Sequence, residues 1–191
     1  ANNWSNNAVP TINDDVTVGA VSVDVSGSLL VRTLTLNAAT VNFSGGYSIG
    51  ADDVEIAAGS TINAGTNPFT IHGRYNNRSI NVGGVDPQVW QLVLTDAELD
   101  RINTTHLIVG DANDGWIPVN AAITQSKDFS LKNNAGYTIT ASITMAADKN
   151  FSAATLSPND ALEFWSNNGK VITSGAGSIS LTAKRNITVN T

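Results

Sequence analysis

The chain lacks cysteine altogether, and only 14% of its 191 residues are charged. Without cysteine, a disulfide framework and a thiolate metal site are both excluded. Asparagine, serine and threonine supply most of the polar positions, and many of the apolar positions are β-branched. This balance is typical of an all-β protein rather than a helical one.

A basic surface is missing as well, because the formal net charge is −6. Nucleic acids and anionic membranes bind proteins through lysine and arginine, so we expect neither as a partner. No stretch approaches the roughly 18 apolar residues of a membrane span, so we expect no membrane insertion. The chain opens at Ala1 without a signal peptide. We therefore expect a processed or excised piece whose export signal lies outside it.

Pairs of apolar residues two positions apart recur through the first seventy residues. Each pair predicts a short strand with one buried face. The pairs form three sets of three, and corresponding pairs return at intervals of roughly 20 residues. They are Val16/Val18, Val21/Val23 and Leu29/Val31, then Leu34/Leu36, Val41/Phe43 and Tyr47/Ile49, then Val54/Ile56, Ile62/Ala64 and Phe69/Ile71.

Turn-forming residues recur between these pairs, for example Gly45-Gly46 and Gly65-Thr66-Asn67. Three short strands per coil of about 20 residues, stacked coil upon coil, predict a parallel β-helix whose interior is one apolar column. A β-sandwich also contains short strands separated by turns and is the alternative fold. The recurrence of the corners together with the strands favours the β-helix.

The same pattern returns after an interruption at residues 83–105, so we predict one β-helix domain over residues 1–191. The later apolar positions are Leu107/Val109, Ile117/Val119, Phe129/Leu131, Tyr137/Ile139, Ile143/Met145, Phe151, Leu162/Phe164, Val171, Ile179/Leu181 and Ile187/Val189.

The interruption at 83–105 contains the segment "LTDAELDRI", which predicts a short helix. Thr95 is a candidate N-cap, and Glu98 stands three residues later, which makes a capping box. Leu94 and Leu99 occupy the positions of a hydrophobic staple. We expect the insertion to cover an end of the apolar column or the edge of a strand. A recognition element is the alternative.

Three segments resemble filamentous haemagglutinin-like adhesins, which are large exported bacterial surface proteins. They are "NWSNNAVPTINDDVTV" (Asn3 to Val18), "LTDAELDRINTTHLIVGDANDGWIPV" (Leu94 to Val119) and "GSISLTAKRNITVNT" (Gly177 to Thr191). The last has Lys184 and Arg185 where the family usually carries two glycines. The resemblance implies a secreted, surface-displayed, right-handed β-helix that acts as an adhesin or its stalk.

Catalysis is a competing interpretation, because β-helices also carry polysaccharide lyases and hydrolases. Asp14-Asp15 and Asp52-Asp53 each precede a predicted strand, and Arg32 occupies the same corner between them. Carboxylates two strands apart would be separated by about 9.6 Å, near the upper limit for an inverting glycosidase. A surface ladder of Asp14, Arg32 and Asp52 is the simpler interpretation. We therefore predict no catalytic residues and no enzymatic activity.

Metal and cofactor signals are weak. The segment "GDANDG" (Gly110 to Gly115) resembles part of a calcium loop, but the remaining EF-hand ligands are missing, so we interpret it as a polar turn. His72 and His106 show no paired spacing that would indicate a metal site or a triad. We predict no metal and no cofactor.

Tryptophans are the remaining candidates for ligand contact. Trp4 and Trp90 suit capping of the ends of the core, whereas Trp116 and Trp165 lie beside polar turns. An indole ring can stack on a sugar or fill a core. Trp116 and Trp165 are therefore the candidate glycan contacts.

Together these observations favour a secreted, cell-surface β-helix segment with a structural or adhesive role. Its expected partners are a host or neighbouring-cell surface, including glycans, and further β-helix modules stacked end to end. A carbohydrate-active β-helix protein and a self-assembling fibre or surface-layer unit are the alternatives.

Overall fold

The computed structural model describes residues 9–84, 91–157, 162–164 and 169–189. It is an all-β structure in which every described strand pairing is parallel. The strands form five sheets, named here sheets I to V. Many of these strands alternate apolar and polar residues, because they bury one face.

Sheets I, II and III contain most strands of the first half. Sheet I has β1 (Asp15–Val18), β4 (Thr33–Leu36) and β7 (Asp53–Ile56) in that order. Sheet II has β2 (Ser22–Val25), β5 (Thr40–Phe43), β8 (Thr61–Asn63) and β12 (Ile102–Asn103). Sheet III has β3 (Leu29–Leu30), β6 (Ser48–Ala51), β9 (Pro68–Gly73), β13 (His106–Val109), β16 (Asp128–Asn133), β19 (Phe151–Thr155) and β22 (Ile179–Ala183).

Sheets IV and V contain the other strands. Sheet IV has, in spatial order, β11 (Gln91–Leu94), β10 (Ser79–Val82), β14 (Ile117–Val119), β17 (Tyr137–Ile139), β20 (Leu162–Phe164) and β23 (Ile187–Val189). Sheet V has β15 (Ile123–Gln125), β18 (Ser142–Met145) and β21 (Lys170–Ile172).

Consecutive strands belong to different sheets, except β10 and β11, which pair with each other in sheet IV. The chain passes through β1, β2 and β3 in sheets I, II and III, and it then returns to the same three sheets with β4, β5 and β6. Val16 lies opposite Leu34 and Leu34 opposite Val54, so partners are about 20 residues apart in the chain. Sheet III runs through both halves of the chain and joins them.

The core consists of rows of apolar side chains that continue from strand to strand. Leu36 and Ile56 are paired and fully buried, as are Phe129 and Phe151. Most apolar pairs that the sequence predicts as buried lie in this core. Leu162, Phe164 and Val189 were predicted with them, but their side chains lie outside the described residues.

One predicted pair is wrong in detail near the start of the chain. Val21 was predicted to be buried with Val23, but it is 57% exposed. The Val21 N–H donates to the Gly19 carbonyl at 2.7 Å, so Val21 belongs to the turn that precedes the strand. The strand therefore starts one residue later, and Val23 and Val25 face the core opposite Val41 and Phe43.

Apolar side chains on the last described strands are less buried than predicted. Ile179 on β22 is 45% exposed and Ile187 on β23 is 47% exposed. Both strands are edge strands of their sheets in the part of the chain that the structure describes. Each of these strands therefore has a neighbouring strand, β19 or β20, on one side only. In the first half of the chain, Tyr47, which was predicted to be buried together with Ile49, is also only partly buried.

The predicted helix is α1 (Asp96–Asp100), and its capping box is confirmed. The Thr95 hydroxyl accepts a hydrogen bond from the Glu98 N–H, and the Glu98 carboxylate accepts one from the Thr95 N–H at 2.9 Å. Leu94, Leu99 and Ile102 are buried, as predicted. At five residues, α1 is too short to cross a membrane, and no other helix occurs among the described residues.

The helix covers strand edges on two sides. The Ile56 N–H on β7 donates to Glu98 Oε1 at 3.2 Å, and Arg101 Nη1 donates to the Ile56 carbonyl at 2.6 Å. On the other side, the Thr124 N–H on β15 donates to Asp96 Oδ1 at 2.8 Å. The insertion therefore supplies side-chain partners to strands of sheets I and V, as predicted for an edge cover.

Buried Lys127 secures the helix C-terminus. Its ammonium donates to the carbonyls of Leu99 and Ile102 at 2.7 and 2.8 Å. The Leu99 carbonyl belongs to the last turn of α1, where a cation is favourable, and the Ile102 carbonyl belongs to β12. Burial lowers the pKa of Lys127, and the nearby Asp100 opposes that shift.

Candidate functional site

Two loops that follow neighbouring strands of sheet III form one corner of the molecule, named here the charged corner. Loop 74–78 follows β9, and loop 110–116 follows β13. The Asn77 N–H donates to the Asn113 carbonyl at 2.6 Å, and the Gly115 N–H donates to the Arg78 carbonyl at 2.8 Å. These bonds hold the loops side by side. Gly110 has a φ of +84°, and a Cβ there would lie 2.2 Å from the Lys132 carbonyl oxygen, so the turn requires glycine.

His72, Asp111 and Asp114 meet in this corner. Asp114 is 1% exposed, and its carboxylate accepts hydrogen bonds from the Gly73 N–H at 2.9 Å and the Asp111 N–H at 2.7 Å. His72 Nδ1 lies 4.0 Å from Asp111 Oδ2. The segment "GDANDG" thus forms a polar turn, as the sequence predicts, but one in which a carboxylate is buried.

Burial is the main influence on the charge of Asp114. It raises the pKa of this carboxyl to about 6, and the charge of Asp111 acts in the same direction. The two backbone hydrogen bonds and His72 oppose the shift because they favour the charged carboxylate. Asp114 is therefore protonated in the folded protein at a pH where an unfolded aspartate is ionised.

We expect the free energy of unfolding to depend on pH through Asp114. The unfolded pKa of aspartate is about 3.9, so between pH 4 and 6 the folded state binds more protons than the unfolded state. Stability contributed by this group should be full below pH 4 and should fall, by about 2 kcal/mol, as the pH rises to 6. Urea unfolding of the parent and of Asp114→Asn at several pH values measures this contribution. A difference between the two proteins that does not change with pH would contradict the assignment.

The cluster also has the residue types of a divalent-metal site, namely one histidine and two aspartates. Their candidate ligand atoms lie within 4.8 Å of one another. Hydrogen bonds already account for this geometry. Asp114 binds two backbone N–H groups, Asp111 Oδ1 accepts the Asn113 N–H at 2.6 Å, and His72 Nδ1 is 2.8 Å from the Gly73 carbonyl oxygen. The arrangement can be explained without a metal.

The predicted acidic corner lies next to this cluster. Backbone bonds from Arg32 to Asp14 and from Asp52 to Arg32, each 2.9 Å, place the three residues at successive positions of one corner, as predicted. The predicted side-chain ladder is wrong. Arg32 binds Asp15, with Nε 2.7 Å from Oδ1, and Asp14 instead accepts hydrogen bonds from the N–H and hydroxyl of Thr11.

Hydrogen bonds account for the charge states of these exposed aspartates. Arg32, and after it the Thr33 hydroxyl, lower the pKa of Asp15 to about 2. The Thr11 backbone N–H, followed by the Thr11 hydroxyl, lowers the pKa of Asp14. Both groups are therefore ionised near neutral pH.

Asp52 is bound by two arginines that follow β9. Arg74 Nη2 lies 2.6 Å from Asp52 Oδ2, and Arg78 Nη1 lies 3.6 Å from Asp52 Oδ1. Asp14 and Asp52 are the two aspartates considered for glycosidase chemistry. The carboxylate of Asp14 is therefore hydrogen-bonded to Thr11, and that of Asp52 is paired with arginines. Asp114 has a raised pKa of the kind that a general acid needs, but it is almost completely buried and could not reach a glycosidic oxygen.

Two exposed aromatic side chains border the charged corner. Tyr75 is 49% exposed, and the Arg74 guanidinium lies 4.3 Å from the centre of its ring. Trp116, a predicted glycan contact, is 36% exposed on the neighbouring loop. Such rings can stack on the apolar face of a sugar while the adjacent charged and amide groups bind its hydroxyls. Trp165, the other predicted contact, lies outside the described residues, as do Trp4 and Trp90.

Sequence reasoning considered His72 but did not connect it with Asp111, and it did not identify Tyr75. His72 is 39 residues from Asp111 in the chain, and only the pairing of β9 with β13 brings their loops together. Tyr75 lies two residues after the end of β9, and this position in a loop could have indicated an exposed ring. No family model matches the chain, and neither a curated protein nor a solved structure matches it.

Proposed function

We propose that the chain is an extracellular structural and adhesive segment of a secreted bacterial surface protein, built as a right-handed parallel β-helix. One observation carries the architectural part of this proposal. In the first coils, consecutive strands enter three different parallel sheets, and each of these strands lies beside a strand about 20 residues further on. A chain that winds in coils produces this order, because every turn of the coil adds one strand to each wall.

The adhesive part is supported by the charged corner. Tyr75 and Trp116 are exposed on adjacent loops, next to carboxylate, guanidinium and amide groups. Glycans of a host or neighbouring cell are the partners that this combination suits. The three segments that resemble filamentous haemagglutinin-like adhesins agree with secretion and surface display.

A carbohydrate-active β-helix protein is the alternative. Binding would then precede cleavage, and a catalytic pair would have to face the sugar. The partners of Asp14 and Asp52 and the burial of Asp114 favour binding without cleavage. We propose no catalytic residue, no cofactor and no metal for this function.

A self-assembling role, or end-to-end stacking with further β-helix modules, is favoured by the last described strands. Ile172, Ile179 and Ile187 are all more than 40% exposed, and they lie on the edge strands of sheets V, III and IV. An open strand edge with apolar side chains can accept another parallel strand.

Binding of the labelled chain to cultured cells and to an immobilised glycan array, with a parallel assay for released reducing ends, tests the adhesive function. We expect binding without release of product. Tyr75→Ala and Trp116→Ala should each weaken binding, whereas Leu30→Ala, which removes an exposed side chain from sheet III, should not. Turnover of any glycan would replace this proposal by the enzymatic alternative.

A further inference from the structure

The outer face of sheet II carries a ladder of three amide side chains that ends on a carboxylate, named here the amide ladder. Asp24, Asn42, Asn63 and Asn103 are register partners on β2, β5, β8 and β12. Neighbouring strands are about 4.8 Å apart, so the four polar groups repeat at that spacing across the sheet. The amide ladder is separate from the charged corner, which follows strands of sheet III.

Hydrogen bonds along the amide ladder run in one direction. Asn103 Nδ2 donates to Asn63 Oδ1 at 3.1 Å, and Asn63 Nδ2 donates to Asn42 Oδ1 at 3.2 Å. Asn42 Nδ2 then donates to Asp24 Oδ1 at 2.9 Å. A run of aligned amides that ends on a carboxylate polarises each bond, and it fixes the orientation of every side chain.

A groove of about 610 Å³ lies over three members of the amide ladder. Asp24, Asn42 and Asn63 line it together with the following turns, which contribute Ser44, Thr66 and Asn67. Asn42 and Asn63 are half-buried, and Asp24 is exposed. The volume is in the range of small-ligand sites.

The hydrogen-bonding capacity of these groups defines the ligand. Asn63 Nδ2 uses one of its two N–H groups in the ladder, and Asn42 Oδ1 accepts one hydrogen bond of the two it can accept. Asp24 adds a carboxylate, and Ser44 and Thr66 add hydroxyls. The groove therefore offers both donors and acceptors, which a ligand rich in hydroxyl groups can satisfy.

Other ligand classes fit less well. The described residues that line the groove include no lysine or arginine, so a bound anion would have no cationic partner. They include a single carboxylate, which is too few for a hard divalent cation. Phe43, the aromatic residue of the lining, is 4% exposed, so ring stacking cannot dominate. A neutral saccharide is therefore the ligand class that best fits the groove.

We propose that the groove over the amide ladder binds an extended, neutral, β-linked glycan chain that runs across the strands. Asp24 and Asn63 are two strands apart, or about 9.6 Å, which spans two to three sugar residues. A β-linked glucan advances by nearly one strand spacing per residue, so successive sugars would meet successive amides. The biological role of this glycan binding rests on the proposed adhesive function, whereas the binding itself does not.

Nuclear magnetic resonance titration of the isotopically labelled chain with cellohexaose tests the proposal. We expect the side-chain amide signals of Asn42 and Asn63 to shift on binding, and glucose to bind at least tenfold more weakly than cellohexaose. Asn42→Ala and Asn63→Ala should each weaken the affinity about three- to tenfold, the effect of losing one or two hydrogen bonds. Ser44→Ala alters the groove without breaking the amide ladder and should also weaken binding.

Asn150→Ala is the matched control, because Asn150 Nδ2 donates to Asp128 Oδ1 on sheet III just as Asn42 donates to Asp24 on sheet II. It should bind cellohexaose like the parent. If the parent does not bind cellohexaose, or if the groove variants bind as well as the parent, the proposal is overturned. Neither result would alter the cell- and glycan-array outcome expected for Tyr75 and Trp116, so the two proposals can fail separately.

Discussion

Replacing Ile56 by aspartate should prevent folding. Ile56 is fully buried on β7, and it continues the core row that contains Leu36. A buried carboxylate without a cationic partner costs several kcal/mol, which is comparable to the whole stability of a domain of this kind. Circular dichroism and urea unfolding measure the outcome.

Two further variants distinguish the effect of a buried charge from a general sensitivity of this region to substitution. Ile56→Val removes one methylene group and should cost only about 1 kcal/mol. Thr61→Asp introduces the same charge at a partly exposed position on β8, and it should leave the protein folded. A folded Ile56→Asp variant with near-parent stability would show that the core row has been placed incorrectly.

Replacing Glu98 by alanine should cost about 2–4 kcal/mol and should promote association. Glu98 is 5% exposed, and its carboxylate accepts hydrogen bonds from the N–H groups of Ile56 and Thr95. The variant leaves these donors without the carboxylate and removes half of the capping box, and each unsatisfied buried donor costs about 1–3 kcal/mol. An edge of sheet I would also lose its cover, which makes pairing with a second chain favourable.

Urea unfolding and sedimentation of Glu98→Ala measure the two effects. Ala97→Ser, an exposed change on the same helix, is the control and should alter the free energy of unfolding by less than about 0.5 kcal/mol. A Glu98→Ala protein that is monomeric and as stable as the parent would mean that the insertion does not protect the strand edge. The insertion would then be better interpreted as a recognition element.

Local features of the fold were predictable because neighbouring residues determine them. Alternation such as Leu34/Leu36 specifies a strand with one buried face, and these side chains are buried. Thr95 and Glu98 are three residues apart, and the capping box that they form needs no tertiary contact. The predictions that succeeded are of this kind.

Features that depend on the length of each turn were less predictable. The turn at Gly19 includes Val21, so β2 starts at Ser22 and Val21 is exposed. The partner of Arg32 was wrong for a related reason, since Asp14 and Asp15 both lie within its reach and geometry selects Asp15. Sequence spacing alone does not show which of two neighbouring residues such a side chain binds.

The candidate sites show the same limit. Trp116 could be proposed from the sequence because it adjoins a polar turn, but its neighbours Tyr75 and Arg74 come from another part of the chain. The amide ladder could not be foreseen, because Asn42, Asn63 and Asn103 are separated by 21 and 40 residues and only strand register aligns them. The unequal spacing reflects the insertion between β8 and β12.

Disulfide mapping tests the central proposal, a coiled chain that adds one strand to each wall per turn, and the absence of native cysteine makes the test clean. Cysteine pairs would be introduced at Thr17/Thr35 in sheet I, Thr40/Thr61 in sheet II and Ser152/Ser180 in sheet III, which are register partners. Adjacent strands place such residues about 4.8 Å apart, within disulfide range, whereas Ser22/Thr61, two strands apart at about 9.6 Å, exceeds it. The account predicts that all three adjacent pairs oxidise in the folded protein and that Ser22/Thr61 does not. Failure of the adjacent pairs, or efficient oxidation of Ser22/Thr61, would contradict the coiled parallel arrangement.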